Sequence, residues 1–252
     1  MKSIFIFSLL CICLSTHAFS FALLENDTNK TDANNKKQGI WKEKYYNMES
    51  YGYYVNDKKD GSWVSYQPSG LLNNIVTYKN GLRNGINITV DANGYFVEEA
   101  SFKNDTLDGV SKGYLPGGKL KSYSTFKMGK YNGIRKQFYS EGTLQEESFY
   151  INNNRQGVTK WYSTDGKLSI EYHYNNGLLE GTQKTFYKNG NTSSEGTAKN
   201  NQMEGEFKEY FENGKLKTIG NYLKDKKEGA WKIYDEDGKL IKTEKYKGGI
   251  AK

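Results

Sequence analysis

The chain carries few side chains of the kinds that perform catalysis. Its two histidines are His17 and His173, and its two cysteines are Cys11 and Cys13. Glutamate recurs at one position of an internal repeat, at Glu99, Glu147, Glu171 and Glu195. A residue that recurs with a repeat serves the scaffold before it serves a unique site. The sequence has no phosphate-binding loop, nucleophile elbow or metal-ligand spacing, so we expect no enzyme activity, no cofactor and no metal site.

The N-terminal segment has the layout of a secretory signal peptide. Lys2 precedes an apolar run from Ile4 to Leu14, and the small residues Ala18 and Ala22 offer cleavage sites. The run is shorter than the roughly 20 residues that a membrane-spanning helix needs. We therefore predict that residues 1–22 are a cleavable signal peptide and that the protein is secreted, periplasmic or held in the cell envelope. An uncleaved membrane anchor is the alternative.

Composition narrows the functions open to the rest of the chain. Removal of residues 1–22 takes both cysteines with it, so we expect no disulfide and no thiolate metal site. The formal charge of +7 comes from interspersed basic and acidic residues, whereas nucleic-acid binding requires a clustered basic stripe. We therefore expect no nucleic-acid partner. Residues 23–37 are polar and rich in Asn, which predicts a flexible polar spacer.

Sixteen glycines keep a strict 24-residue period from residue 61 onward. The first row of glycines comprises Gly61, Gly85, Gly109, Gly133, Gly157, Gly181, Gly205 and Gly229. The second row follows nine residues later and comprises Gly70, Gly94, Gly118, Gly142, Gly166, Gly190, Gly214 and Gly238. Internal repetition of this length is typical of a solenoid, a propeller or a linear array.

Rings and turn signals repeat with the glycines. Aromatic residues lie five and seventeen residues after most first-row glycines, as at Phe138 and Tyr150, and we expect both rows to form the core. Asn, Asp or Gly usually precedes the second-row glycine, and a second signal such as Asn80-Gly81 lies about 20 residues into each unit. These residues tolerate the positive φ of tight hairpin turns. The sequence therefore predicts an all-β antiparallel meander of about sixteen strands, without substantial helix after the signal peptide.

Two registers are open within each hairpin. One register places the ring opposite a leucine, as with Phe138 and Leu144, and the other places lysine opposite glutamate, as with Lys136 and Glu147. A slip of one residue exchanges the two faces of a strand. We favour the ring–leucine register, because burying both side chains is worth a few kcal/mol, whereas an exposed ion pair is worth about 0–1 kcal/mol.

The array has an irregular start. Gly39-Ile40-Trp41 is similar to Gly61-Ser62-Trp63, but the two segments are 22 rather than 24 residues apart. A departure of this kind is expected of a terminal capping unit. We therefore assign residues 38–60 to a degenerate N-terminal cap and residues 61–252 to eight regular β-hairpin repeats.

The unit resembles a known repeat most clearly over Glu180–Gly190 and Glu228–Leu240. Both segments are similar to the MORN repeat variant (MORN stands for membrane occupation and recognition nexus), as found in YwqK-family antitoxins of toxin–antitoxin systems. The resemblance implies an elongated, twisted, single-layer β-meander that acts as a protein-binding or membrane-associated scaffold.

These observations predict an exported, non-catalytic scaffold that binds a protein partner in the cell envelope or outside the cell. The partner would be a toxin if the chain is an antitoxin- or immunity-like protein. A repeat protein that binds glycan, cell wall or an anionic lipid surface is the alternative. The candidate partner contacts are Tyr139, Trp161, Tyr187 and Phe211. All except Trp161 lie one position past a ring of the first ring row, so within a strand they would face away from that row.

Overall fold

The computed structural model describes residues 28–252, and the predicted signal peptide lies outside the described residues. Every regular element between residues 28 and 252 is a β-strand. The strands are β1 (Lys30–Thr31), β2 (Lys37–Tyr45), β3 (Met48–Val55), β4 (Lys58–Tyr66), β5 (Leu72–Lys79), β6 (Leu82–Arg83), β7 (Gly85–Val90), β8 (Phe96–Lys103), β9 (Thr106–Tyr114), β10 (Leu120–Lys127), β11 (Lys130–Phe138), β12 (Leu144–Ile151), β13 (Asn154–Arg155), β14 (Gly157–Tyr162), β15 (Leu168–Asn175), β16 (Leu178–Phe186), β17 (Thr192–Lys199), β18 (Gln202–Tyr210), β19 (Leu216–Leu223), β20 (Lys226–Tyr234), β21 (Leu240–Lys247) and β22 (Ile250–Ala251).

The strands pair antiparallel with their neighbours in sequence and form one open sheet. Two positions in the sheet are each filled by a pair of short strands, because β6 and β7 both pair with β5, and β13 and β14 both pair with β12. The predicted all-β antiparallel meander of about 24-residue hairpins is therefore confirmed.

Both predicted turns are present in each regular unit. The two-residue turn Asn80-Gly81 has positive φ at both residues, 53° and 86°, which is the geometry whose twist matches paired strands. The second-row glycine closes a longer loop at the other end of the hairpin. In one such loop, the Gly142 N–H donates to the Tyr139 carbonyl at 2.9 Å, and the φ of Gly142 is 98°.

The two registers that the sequence offered as alternatives occur together. Lys136 pairs with Glu147 and Phe138 pairs with Leu144 within one hairpin, because the register shifts between Gln137 and Phe138. Such a β-bulge adds one residue to a strand and so satisfies both pairings. The same shift occurs at the equivalent place in the hairpins of β16–β17 and β18–β19. The favoured ring–leucine pairing is therefore confirmed, and the lysine–glutamate pairing occurs beside it rather than in its place.

First-row glycines lie within strands or at their first residue, as with Gly85 and Gly157, rather than in turns. Gly133 in β11 has a φ of 114°, and it lies opposite a register shift between Ser124 and Phe126 of β10. A Cβ atom at Gly133 would overlap the Thr125 side chain. Positive φ and close approach both require glycine here, so the 24-residue period reflects a bulge repeated in every unit.

The N-terminal cap differs from the regular units by one shortened loop. Strands β2 and β3 pair without a register shift and are joined by residues 46–47. The loop is three residues shorter than in a regular unit and the strand after the glycine is one residue longer, which gives the spacing of 22 residues. Of the flexible spacer predicted for residues 23–37, residues 23–27 lie outside the described residues, whereas residues 30–37 form a tight hairpin. Lys30 pairs with Gln38, and the Asp32 carboxylate accepts the Lys36 N–H at 3.0 Å.

The two predicted ring rows lie on opposite faces of the sheet. We call the face that carries Trp63, Tyr150 and Trp231 the aromatic face, and rings seventeen residues after the first-row glycine lie there. We call the face that carries Lys136, Glu147 and Lys160 the charged face. Rings five residues after the glycine lie on the charged face, where the Tyr210 hydroxyl donates to Glu195 at 2.7 Å. The expectation of one core containing both rows was therefore wrong. The rows are twelve positions apart, and this even spacing alone would keep them on one face, but the bulge between them reverses the face.

Candidate binding surfaces

Packing on the aromatic face follows a large-to-small pairing between adjacent strands. Trp231 is only 1% exposed, and its indole covers Gly220 so closely that a Cβ atom there would overlap the ring. Trp63 covers Gly52 in the same way. In both pairs the glycine lies eleven residues before the ring. The indole N–H of Trp231 donates to the Asn221 carbonyl at 3.2 Å, so this ring is committed to the scaffold.

Cations lie against the rings of the aromatic face. Lys59 Nζ lies 3.6 Å from the Trp63 ring centroid, and the Arg83 guanidinium lies 4.1 Å from that of Phe102. These cations also have carboxylate partners, since Lys59 pairs with Glu43 at 3.0 Å. Cation–ring contacts of this kind stabilise by about 0.5–2 kcal/mol, and they keep the charges engaged within the sheet.

Trp161, one of the predicted contacts, belongs to a polar cluster in the middle of the aromatic face. Its indole N–H donates to Glu146 Oε2 at 3.1 Å, and Glu146 also pairs with Arg155 at 2.9 Å and Arg135 at 3.4 Å. Desolvation opposes the charge of Arg155, but the hydrogen bond and charge of Glu146 outweigh it and raise the pKa of Arg155. The carboxylate is thus held by cations, which suits structural charge pairing rather than proton transfer.

The other predicted contacts lie at the start of the longer loops. The Tyr139 hydroxyl donates to the Tyr162 carbonyl at 2.8 Å, and the Tyr187 hydroxyl donates to the Tyr210 carbonyl at 2.7 Å. These bonds join each loop to the next repeat. Phe211 is half-buried at the equivalent loop position. The structure does not bring these rings together with Trp161, and their contact with a partner stays a prediction.

The charged face carries alternating lysines and glutamates. Lys136 and Glu147 are 2.8 Å apart, and Lys184 and Glu195 are 3.4 Å apart. Burial, and then the hydrogen bond to Glu195, raise the pKa of Tyr210 to about 12. The same hydrogen bond and the Lys184 charge lower the pKa of Glu195. The glutamates that recur in the sequence are therefore members of an electrostatic column.

Sequence reasoning missed an exposed aromatic tip, which comprises Tyr45, Tyr46 and Met48. Tyr45 is 70% exposed and Tyr46 is 81% exposed, and their rings form an edge-to-face pair with centroids 4.6 Å apart. The sequence signal that could have revealed this tip is the 22-residue spacing of the cap. The five-residue loop of a regular unit is replaced there by the tight turn of residues 46–47, which exposes the rings. Clefts flank the tip, and one of them is lined in part by Tyr45, Met48, Asn74 and Tyr78.

Residues 28–252 contain no cluster of three or more His, Cys, Asp or Glu side chains placed to bind a metal ion. That part of the chain also has no helix suited to crossing a membrane.

The open sheet of repeated hairpins, with its recurring bulges and turns, defines a β-repeat scaffold. The sequence profile of the MORN repeat variant matches six consecutive segments of the chain: residues 107–128, 131–152, 155–176, 179–200, 203–224 and 227–247. The chain therefore belongs to the MORN repeat variant family. A search of curated proteins found no match. Each matched segment starts two residues before a first-row glycine, and the units at Gly61 and Gly85 show the same strands without a match.

Proposed function

We propose that this chain is an exported, non-catalytic repeat scaffold that binds a protein partner in the cell envelope or outside the cell. The observation that carries the proposal is the aromatic tip of Tyr45, Tyr46 and Met48 beside two clefts. Family membership supports a binding scaffold, and the apolar N-terminal run supports export.

The chemistry of the tip suits a protein interface. Tyrosine and methionine are enriched where proteins bind one another, and buried tyrosines are frequent hot spots. The two tyrosines offer on the order of 300 Å² of surface for burial. At ~25 cal/mol per Å², this area corresponds to about 7 kcal/mol before the costs of association are subtracted.

An antitoxin- or immunity-like role fits this proposal in one form. The resemblance to antitoxins of toxin–antitoxin systems supports a toxin as the partner, and the N-terminal apolar run supports an encounter outside the cytosol. The partner would then be an exported toxin or another envelope protein.

Capture from envelope fractions tests the proposal. The full chain is expressed in its host, and its complexes are isolated under mild detergent and identified by mass spectrometry. We expect one reproducible protein partner, and we expect Tyr45→Ser combined with Tyr46→Ser to weaken its capture at least tenfold. The matched control is Tyr95→Ser, which removes a ring that is 48% exposed and lies outside the tip. Equal capture by the tip variant would contradict the role of the tip, and capture of no protein would contradict the proposed function.

A glycan ligand is the second candidate, favoured by the cleft beside the tip. Its lining combines the Tyr45 and Tyr78 rings with the Asn73 and Asn74 side chains, and sugars require this mixture of apolar faces and hydrogen-bonding groups. Retention on purified cell wall that Asn74→Ala abolishes would support this function. Indifference to cell wall and to anionic vesicles would leave the protein partner as the function.

A further inference from the structure

The charged face carries an unbroken column of directly paired side chains across ten strand positions. Its members pair in sequence from β8 to β18: Glu99, Lys112, Tyr123, Lys136, Glu147, Lys160, Glu171, Lys184, Glu195 and Lys208. Directly opposed residues of antiparallel strands share a face. Apart from Tyr123, the column from Lys112 to Lys208 therefore alternates in charge from one strand to the next.

The column is self-complementary about the boundary between β12 and β14. Members at equal distances from this boundary form five pairs: Glu147 with Lys160, Lys136 with Glu171, Tyr123 with Lys184, Lys112 with Glu195, and Glu99 with Lys208. Four pairs have opposite charges, and none has like charges. One strand further out on each side, the column continues into Ile88 and Ile219, which are both apolar.

Exposed apolar side chains lie at the same boundary. Phe149 is 42% exposed, Val158 is 37% exposed and Ile134 is 44% exposed. Each is two residues from a member of the column, so all three lie on the charged face. Ile134 pairs directly with Phe149. An apolar centre surrounded by charges is the usual arrangement of a protein interface.

We propose that a second copy of this chain docks face to face on the charged face, with the two-fold axis running along the strands between β12 and β14. Rotation about this axis places each column residue opposite the residue at the same distance on the other side. Because the charges alternate along the column, a two-fold axis at any boundary between its strands would place opposite charges together. The exposed apolar residues favour the boundary between β12 and β14.

The size of the contact suits a stable dimer. Ten strand positions spaced about 4.8 Å apart, each contributing about 14 Å of strand, give roughly 650 Å² per copy. The total of about 1,300 Å² lies within the range of specific interfaces. Twisted sheets that stack face to face diverge by about 30°, so the residues nearest the axis contribute most. Phe149 and Val158 supply affinity there, and the charges fix the register.

Charge reversal at the axis gives the sharpest test. Glu147→Lys would place lysine opposite Lys160 of the second copy at two symmetric contacts, and Lys160→Glu would place glutamate opposite glutamate. In a mixture of the two variants, both contacts become lysine–glutamate pairs. Analytical ultracentrifugation of each purified full chain and of the mixture measures the dissociation constant. The control is Glu236→Lys, which reverses a charge on an exposed loop.

We expect a wild-type dimer at micromolar concentration, dissociation constants raised at least tenfold in each single reversal, and recovery of the dimer on mixing. Phe149→Asp should also raise the constant tenfold, with circular dichroism reporting an unchanged fold. A wild-type chain that stays monomeric at about 100 µM would overturn the proposal, as would a dimer that all three variants leave unchanged. Tyr45→Ser combined with Tyr46→Ser should leave dimerisation intact, so failure here is distinguishable from failure of the proposed partner binding.

Discussion

Replacement of Gly220 by alanine tests the large-to-small pairing of the aromatic face. Gly220 does not have a positive φ, so backbone strain does not enter the comparison. The new Cβ atom would overlap Cγ, Cδ2 and Cε2 of the Trp231 indole, which is almost fully buried. The indole must therefore move out of its site.

The expected loss of stability follows from two opposing effects. Overpacking of this kind costs about 1–3 kcal/mol. Alanine also restricts the unfolded chain and returns about 0.4–1 kcal/mol. We therefore expect Gly220→Ala to lower the free energy of unfolding by about 1–2 kcal/mol, measured by urea denaturation monitored through tryptophan fluorescence. Because repeats can unfold separately, amide hydrogen exchange in β19 and β20 locates the loss.

Two controls isolate the ring as the cause. Gly113 also lacks a positive φ, and a Cβ atom there would meet only the Ser122 hydroxyl, 2.8 Å away. That hydroxyl can rotate away, so Gly113→Ala should change stability by less than about 0.5 kcal/mol. In a Trp231→Val background, Gly220→Ala should likewise cost almost nothing. An equal loss with and without the indole would refute the reasoning.

Three further changes have defined outcomes. The folded pKa of Tyr210, about 12, lies above its ordinary value of 10.0, so the stability that its protonated hydroxyl contributes is fully present below pH 10 and is lost as the pH rises towards 12. Glu195→Gln should lower that pKa in ¹³C-tyrosine NMR titration. An unchanged pKa would count against the hydrogen bond. The backbone N–H of Arg83 donates to the Asp105 carboxylate at 2.9 Å and lowers the pKa of Asp105. Protection of the Arg83 amide from hydrogen exchange should therefore persist at neutral pH and fall as the pH drops through that lowered pKa. In Asp105→Asn this pH dependence of the protection should be lost. Met128 occupies the left-handed region in an exposed turn, so Met128→Asn should stabilise the chain by about 0.5–1 kcal/mol in urea denaturation, and a loss of stability would contradict the turn assignment.

The repeat and its turns were predictable because their signals are backbone signals. Asn80-Gly81 and Gly142 occupy positions whose φ is positive, and few residue types tolerate that conformation. Those types therefore recur in every unit. The meander followed from the turn spacing without any knowledge of side-chain packing.

The ring–leucine pairing was predictable, but its coexistence with the lysine–glutamate pairing was not, because that depends on a bulge that leaves no composition signal. The bulge before Phe138 allows two pairings that a regular ladder makes exclusive. A row on the aromatic face, formed by the residue two positions after each first-row glycine, was also missed. This residue is Trp63 in one unit, Arg135 in another and Thr159 in a third, so its type does not repeat. The variation is explained by packing, because the size of this residue depends on the size of the residue eleven positions earlier, against which it packs.

The surroundings of the candidate contacts were hard to predict for a related reason, and their contact with a partner stays a prediction. A ring one position past a strand was expected to face away from the core, but Tyr139 and Tyr187 lie in loops and bond to neighbouring repeats. The aromatic tip at Tyr45 and Tyr46 departs from the repeat. A feature that occurs once gives a weaker sequence signal than one that recurs in every unit, although functional sites are expected at such departures from the local rule.

Site-specific photocrosslinking tests the central claim, partner binding through the tip, most directly. A photoreactive phenylalanine analogue replaces Tyr46 in the full chain, and in a matched chain it replaces Tyr95, which is 48% exposed and lies outside the tip. Irradiation of intact cells should yield one discrete protein adduct from position 46 and none from position 95. The same adducts from both positions, or no adduct from position 46, would contradict the account.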